Sequence, residues 1–98
     1  MSSADLGKKL REMQVVQSPH QPSVGDLDWL NRALDNLSAS ARGDGFSPRN
    51  IGHYVGEFES RVLNFAQRGF KTQAIELTDK RYAGLEKKYN LADSVTSK

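Results

Sequence analysis

Cysteine is absent from the 98 residues, which excludes disulfide stapling, thiol catalysis and thiolate metal sites, and makes a reducing compartment such as the cytoplasm the expected setting. Long apolar runs are also missing. No stretch approaches the roughly 18 consecutive apolar residues of a membrane span, and the N-terminal "MSSADLGKKLREMQVVQSPHQP" lacks the apolar core of a secretion signal. A soluble protein with no membrane partner is the expectation. Charge of one sign is scarce too: 14 basic and 12 acidic residues are interspersed for a net charge of +2, so nothing resembles a polybasic tract. A chain this short forms one domain with a marginal core, which favours help from a partner or a second copy.

What is present is helical periodicity. Apolar residues three and four apart form one stripe at Leu27, Leu30, Leu34, Leu37 and Ala41 and a second at Ile51, Val55, Phe58, Val62 and Phe65. A third runs through Ile75, Thr78, Tyr82, Leu85 and Tyr89, and a shorter copy at Leu6, Leu10 and Met13 predicts an N-terminal helix over about 3–16. No segment reads as a strand. The expected fold is all-α, a small bundle of three to four helices at about 3–16, 26–42, 47–68 and 71–90, the last two forming an antiparallel hairpin. In domain terms, 1–25 is a helix plus Pro-containing linker, 26–90 the bundle and 91–98 a flexible tail.

The joints are marked by turn chemistry. "QSPHQPSVG" at 17–25 holds two of the three prolines and separates the first helix from the rest, with Ser23 or Asp26 placed to cap the second. In "RGDGFSPRN" at 42–50, Gly43 and Gly45 permit a turn, Ser47 can cap the third helix ahead of Pro48, and Phe46 with Ile51 has hydrophobic-staple spacing. Gly69 marks a helix end and Thr72 a following cap. The expected core is Leu30, Leu34, Leu37, Val55, Phe58, Val62, Phe65, Ile75, Tyr82 and Leu85, with Trp29 closing one end.

Motifs that carry chemistry are few. Arg42-Gly43-Asp44 matches an adhesion tripeptide, but the turn explains it. Asn36-Leu37-Ser38 matches a glycosylation sequon inside a predicted helix, and Ser18-Pro19 and Ser47-Pro48 match proline-directed phosphorylation sites. His20 and His53 are read as lacking a ligand at i+4 or a Cys partner, so no zinc site is expected. Asp26 and Asp28 suit a helix start, with Asp28 paired to Arg32. No nucleophile elbow, phosphate loop, dinucleotide fingerprint or calcium loop occurs. Neither enzymatic activity nor a cofactor is expected.

Two features resist a purely structural account. Gly52, Gly56 and Ser60 recur at i, i+4 and i+8 beside the apolar stripe of the third helix, where each glycine costs about 1 kcal/mol of helix propensity. Close approach by another helix offsets such a cost, with the geometry of small-xxx-small packing. Phe70, Leu77, Gly84 and Leu91 recur every seven residues, away from Ile75, Tyr82 and Tyr89, so the fourth helix is apolar along two lines. Gly52, Gly56, Ser60, Leu77, Gly84 and Leu91 are therefore the candidate partner-binding residues. The expected function is a non-catalytic protein-interaction module, such as an assembly factor, chaperone or small regulator, forming a homodimer or other homo-oligomer. The alternative is a duplex-backbone binder using Lys80, Arg81, Lys87 and Lys88 with Lys8, Lys9 and Arg11.

Overall fold

The computed structural model describes residues 2–42 and 51–91, which are helical outside the linker at 13–23 and contain no strand. Helix α1 spans Ser3–Glu12, α2 Val24–Arg42 and α3 Ile51–Phe65; α4 spans Lys71–Leu77 and α5 Ala83–Tyr89. Two turns follow α3 and α4 respectively: Ala66–Phe70, where the helix is kinked at a non-helical Gly69, and Thr78–Tyr82, a wider π-helical turn and the second of the two. The Cα radius of gyration is 13.2 Å, the value expected for a packed chain of about 100 residues. The fold is all-α. The expected cap at Ser47, the staple of Phe46 with Ile51 and the glycine turn lie outside the described residues.

Each described helix is explained locally. In α1, the Ser2 hydroxyl accepts the Asp5 amide at 3.2 Å, and Lys9 and Arg11 occupy the last turn, opposing the helix dipole. The helix stops at Glu12 and not near Val16, because Met13 turns extended (φ −67°, ψ 132°). Lys71 of α4 donates to the Arg11 and Met13 carbonyls, both at 2.7 Å, so a distant cation takes over carbonyls that a longer helix would have paired. Helix α2 is capped by Ser23, whose hydroxyl accepts the Asp26 amide at 3.1 Å. Of the two candidates, Ser23 is the cap, and Asp26 instead pairs with Arg68 at 2.8 and 3.1 Å.

The break between α3 and α4 falls where glycine predicts it: Gly69 has φ 104° and ψ 12°, a region that side-chain-bearing residues rarely adopt. Thr72 is not the next cap. Phe70 occupies the cap position without a side-chain hydrogen bond, and the Thr72 amide donates to Gln17 Oε1 at 3.1 Å. The linker thus supplies a cap that the local sequence lacks.

Leu30, Leu34, Leu37, Phe58, Val62 and Phe65 are fully buried, and Val55 and Tyr82 nearly so, with the Phe58 and Tyr82 rings 4.9 Å apart. Leu6, Leu10, Ala33, Ala66, Phe70, Ala74 and Leu91 join them. Ile75 and Leu85 are only partly buried, and Trp29 is 37 % exposed, so it does not close the core. Helix α2 packs on α3, while α1 packs on α4, the second π turn and α5.

Candidate functional site

Helix propensity alone disfavours two glycines in α3, and among the described residues their surroundings supply no compensating contact. A Cβ built on Gly52 or Gly56 meets no atom of the described residues within 4 Å. Both residues and Ser60 are exposed and face a groove of about 590 Å³ lined also by Trp29, His53, Glu57 and Arg61. Arg61 organises one wall: its guanidinium lies 5.1 Å from the Trp29 ring centroid, donates to the Trp29 carbonyl at 2.8 Å and pairs with Glu57 at 2.9 Å. The cation over the indole face fixes Trp29 at the α2–α3 seam.

His53 does have an acidic neighbour at i+4: Glu57 lies 3.7 Å from its Nε2. That pair is not a metal site, and among the described residues no three His, Cys, Asp or Glu side chains cluster to hold an ion. Nor do His53 and Ser60 make a nucleophile and base. Seven residues of helix separate them by about 10.5 Å along the axis, far beyond proton-transfer reach.

The second apolar line of the sequence does not form one open face. Leu77 is partly buried and lines a slot of about 220 Å³ with Leu27, Leu30 and Phe65, rimmed by Gln73, Glu76 and Lys80. Gly84 is exposed with open space where a Cβ would stand. Leu91 is 1 % exposed, packed into the core and not at the surface.

The basic residues are divided by their partners. Arg81 binds Asn31 and Asp35, tying the second π turn to α2, and Arg11 binds Asp79. Lys80 lies 3.4 Å from Glu76. Lys8, Lys9, Lys87 and Lys88 are exposed, and the Lys88 ammonium sits 5.3 Å from the Tyr89 ring.

Among the described residues Asp26, Arg68, Tyr82 and Tyr89 are clearly perturbed, and two of them, Asp26 and Tyr82, are acids held by packing contacts. Hydrogen bonds from Arg68, then from Ser23, hold the Asp26 carboxyl below its ordinary value. Burial, then the Glu59 and Glu86 charges, pushes the Tyr82 phenol up. Both shifts belong to packing contacts and neither faces the α3 groove.

The sequence pattern missed Trp29 and Arg61 as groove residues. The available signal was Trp29 itself, the only tryptophan in the chain, standing between Leu27 and Leu30 and off the buried line of Leu30, Leu34 and Leu37. Among the described residues no helix is long and apolar enough to cross a membrane. Comparison with protein-family models, curated proteins and solved structures finds no match.

Proposed function

We propose that the chain is a non-catalytic interaction protein built as a small helical bundle with an antiparallel C-terminal hairpin, and that it self-associates through the α3 groove. The observation that carries this reading is the open ridge of Gly52, Gly56 and Ser60 beside a half-exposed Trp29. Glycines in a helix are destabilising unless something approaches closely. An exposed tryptophan adjoining a flat, small-residue surface has the composition of an interface centre. A second copy is the proposed occupant, and the assembled pair would serve as an assembly factor, chaperone or small regulator.

Light scattering across a hundredfold range of concentration tests this. The wild-type chain is expected to form a dimer, and Gly56→Leu to remain monomeric with unchanged helical circular dichroism. Trp29, as the only tryptophan, should become less accessible to a soluble quencher as the dimer forms. A wild-type monomer throughout, or a dimer that survives Gly56→Leu, overturns the reading. Duplex binding has less support, because Arg81 and Arg11 are already held by carboxylates, which lowers the field that a phosphate backbone would meet.

A further inference from the structure

The two ends of the α3 groove differ. Its Ser60 end is walled by the half-exposed Trp29, because the Arg61 guanidinium lies 5.1 Å from the indole centroid and donates to the Trp29 carbonyl at 2.8 Å. Its other end is the bare backbone of Gly52. Gly56 stands midway, with Gly52 four residues before it and Ser60 four after, about 6 Å along the helix axis in opposite directions. A large ring at one end and a missing side chain at the other are complementary shapes on one surface. Within one chain they do not meet, since no atom of the indole lies within 4 Å of where a Gly52 Cβ would stand.

Charge separates the two ways of laying one α3 on another. The Arg61 guanidinium is paired with Glu57 at 2.9 Å, and both side chains are largely covered. If two α3 helices lay parallel about a two-fold axis, each residue would stand level with its own copy. Guanidinium would then face guanidinium, and indole would meet indole, a juxtaposition of like groups that is costly in an interface. Antiparallel helices avoid both conflicts. Each Arg61 and Trp29 then lies over the partner's Gly52 end, and a two-fold contact of this kind is made twice, so the pair closes on itself.

Resting on the self-association proposed above, we infer that the two α3 helices cross antiparallel about Gly56 and that each copy contributes its Trp29 to the open Gly52 end of the other copy's groove. Neither groove is complete alone. Arg61 is the positioning residue of this contact: its cation–π contact and its hydrogen bond to the Trp29 carbonyl hold the indole in place beforehand, which lowers the ordering cost of association.

The chain has no cysteine, so introduced thiols report the geometry without background. Gly52→Cys and Ser60→Cys are oxidised with copper phenanthroline, singly and mixed, after light scattering and circular dichroism show each reduced variant to be a folded dimer. A disulfide needs Cα atoms within about 7 Å. The mixture is expected to cross-link and neither variant alone, since like positions in the antiparallel pair lie about 12 Å apart along the axis. Should Gly52→Cys not dimerise, Gly56→Cys takes its place and is expected to cross-link alone while Ser60→Cys does not. Cross-linking of Ser60→Cys alone, or of no variant although the mass is doubled, overturns the inference. For the Trp29 contact, Trp29→Ala should weaken the dimer about thirtyfold, as loss of an interface centre does. Gly52→Leu should weaken it much less in the Trp29→Ala background than in the wild type, because the ring is what the leucine obstructs. Equal losses in the two backgrounds overturn that contact. A wild-type monomer overturns the self-association reading and this inference together, whereas a dimer with the wrong cross-linking pattern overturns this inference alone.

Discussion

Replacing Gly69 by alanine tests how the chain turns from α3 into α4. Two costs combine at this position. With φ at 104°, any L side chain is strained, by roughly 1–2 kcal/mol in the left-handed region. The added Cβ would also stand 3.1 Å from Ser18 Cβ, 3.2 Å from Ser18 N and 3.3 Å from the Val16 carbonyl. Two of these three are backbone atoms of the linker and cannot rotate away. Displacing them weakens the Ser18–Gly69 hydrogen bond, worth about 1 kcal/mol net, so the expected destabilisation is about 3 kcal/mol. For a domain of this size, a loss of that magnitude lowers Tm by roughly 12–24 °C. Urea denaturation gives the free energy directly, and hydrogen exchange shows where the structure loosens: the Ser18 amide should lose protection before the α2 and α3 amides do. A loss below about 0.5 kcal/mol, the range of ordinary surface changes, or an unaltered Ser18 amide would refute the reasoning.

Two further expectations concern pH. The Asp26 carboxyl is held below its ordinary value by Arg68 and Ser23, so the stability it contributes is present above about pH 4 and is lost as pH falls through the lowered folded-state value; Asp26→Asn should flatten the acid limb of a Tm-against-pH profile, and an unchanged limb would remove the Arg68 pair from the account. Tyr82 is shifted upward by burial and by the Glu59 and Glu86 charges, so its contribution is complete below about pH 10 and is lost as pH rises further. Tyr82→Phe should therefore reduce the steepness of alkaline unfolding, measured by circular dichroism, and an equally steep profile would count against the phenol as its source.

The stripes of α2 and α3 were legible because each apolar residue at three- and four-residue spacing falls on one helix face, and Leu30, Leu34, Leu37, Val55, Phe58, Val62 and Phe65 are all buried. Gly69 was legible for a local reason as well, since a positive φ selects glycine wherever it occurs. The end of α1 was not, because it is decided by Lys71 and Gln17, whose partners lie more than 50 residues away in the chain. The C-terminal pattern misled for a third reason. The π turn at Thr78–Tyr82 closes its hydrogen bonds one residue later than an α-helix does, and this shifts the phase of everything beyond it. The single line drawn through Phe70, Leu77, Gly84 and Leu91 is split into buried, partly buried, exposed and buried positions; besides the π turn between Leu77 and Gly84, Phe70 stands at the non-helical cap of α4 and Leu91 follows the left-handed Asn90 that ends α5.

That phase shift has a bearing on the surfaces as well as on the core. With Leu91 buried, the second apolar line no longer requires an external cover, and the case for association contracts onto α3. There the argument is energetic: Gly52 and Gly56 together forgo about 2 kcal/mol of helix propensity, a sizeable fraction of the 5–15 kcal/mol that holds a small domain together. Among the described residues no contact occupies the space which their missing side chains leave. A second copy seated on that ridge, as proposed, would fill this space and offset the propensity lost at Gly52 and Gly56.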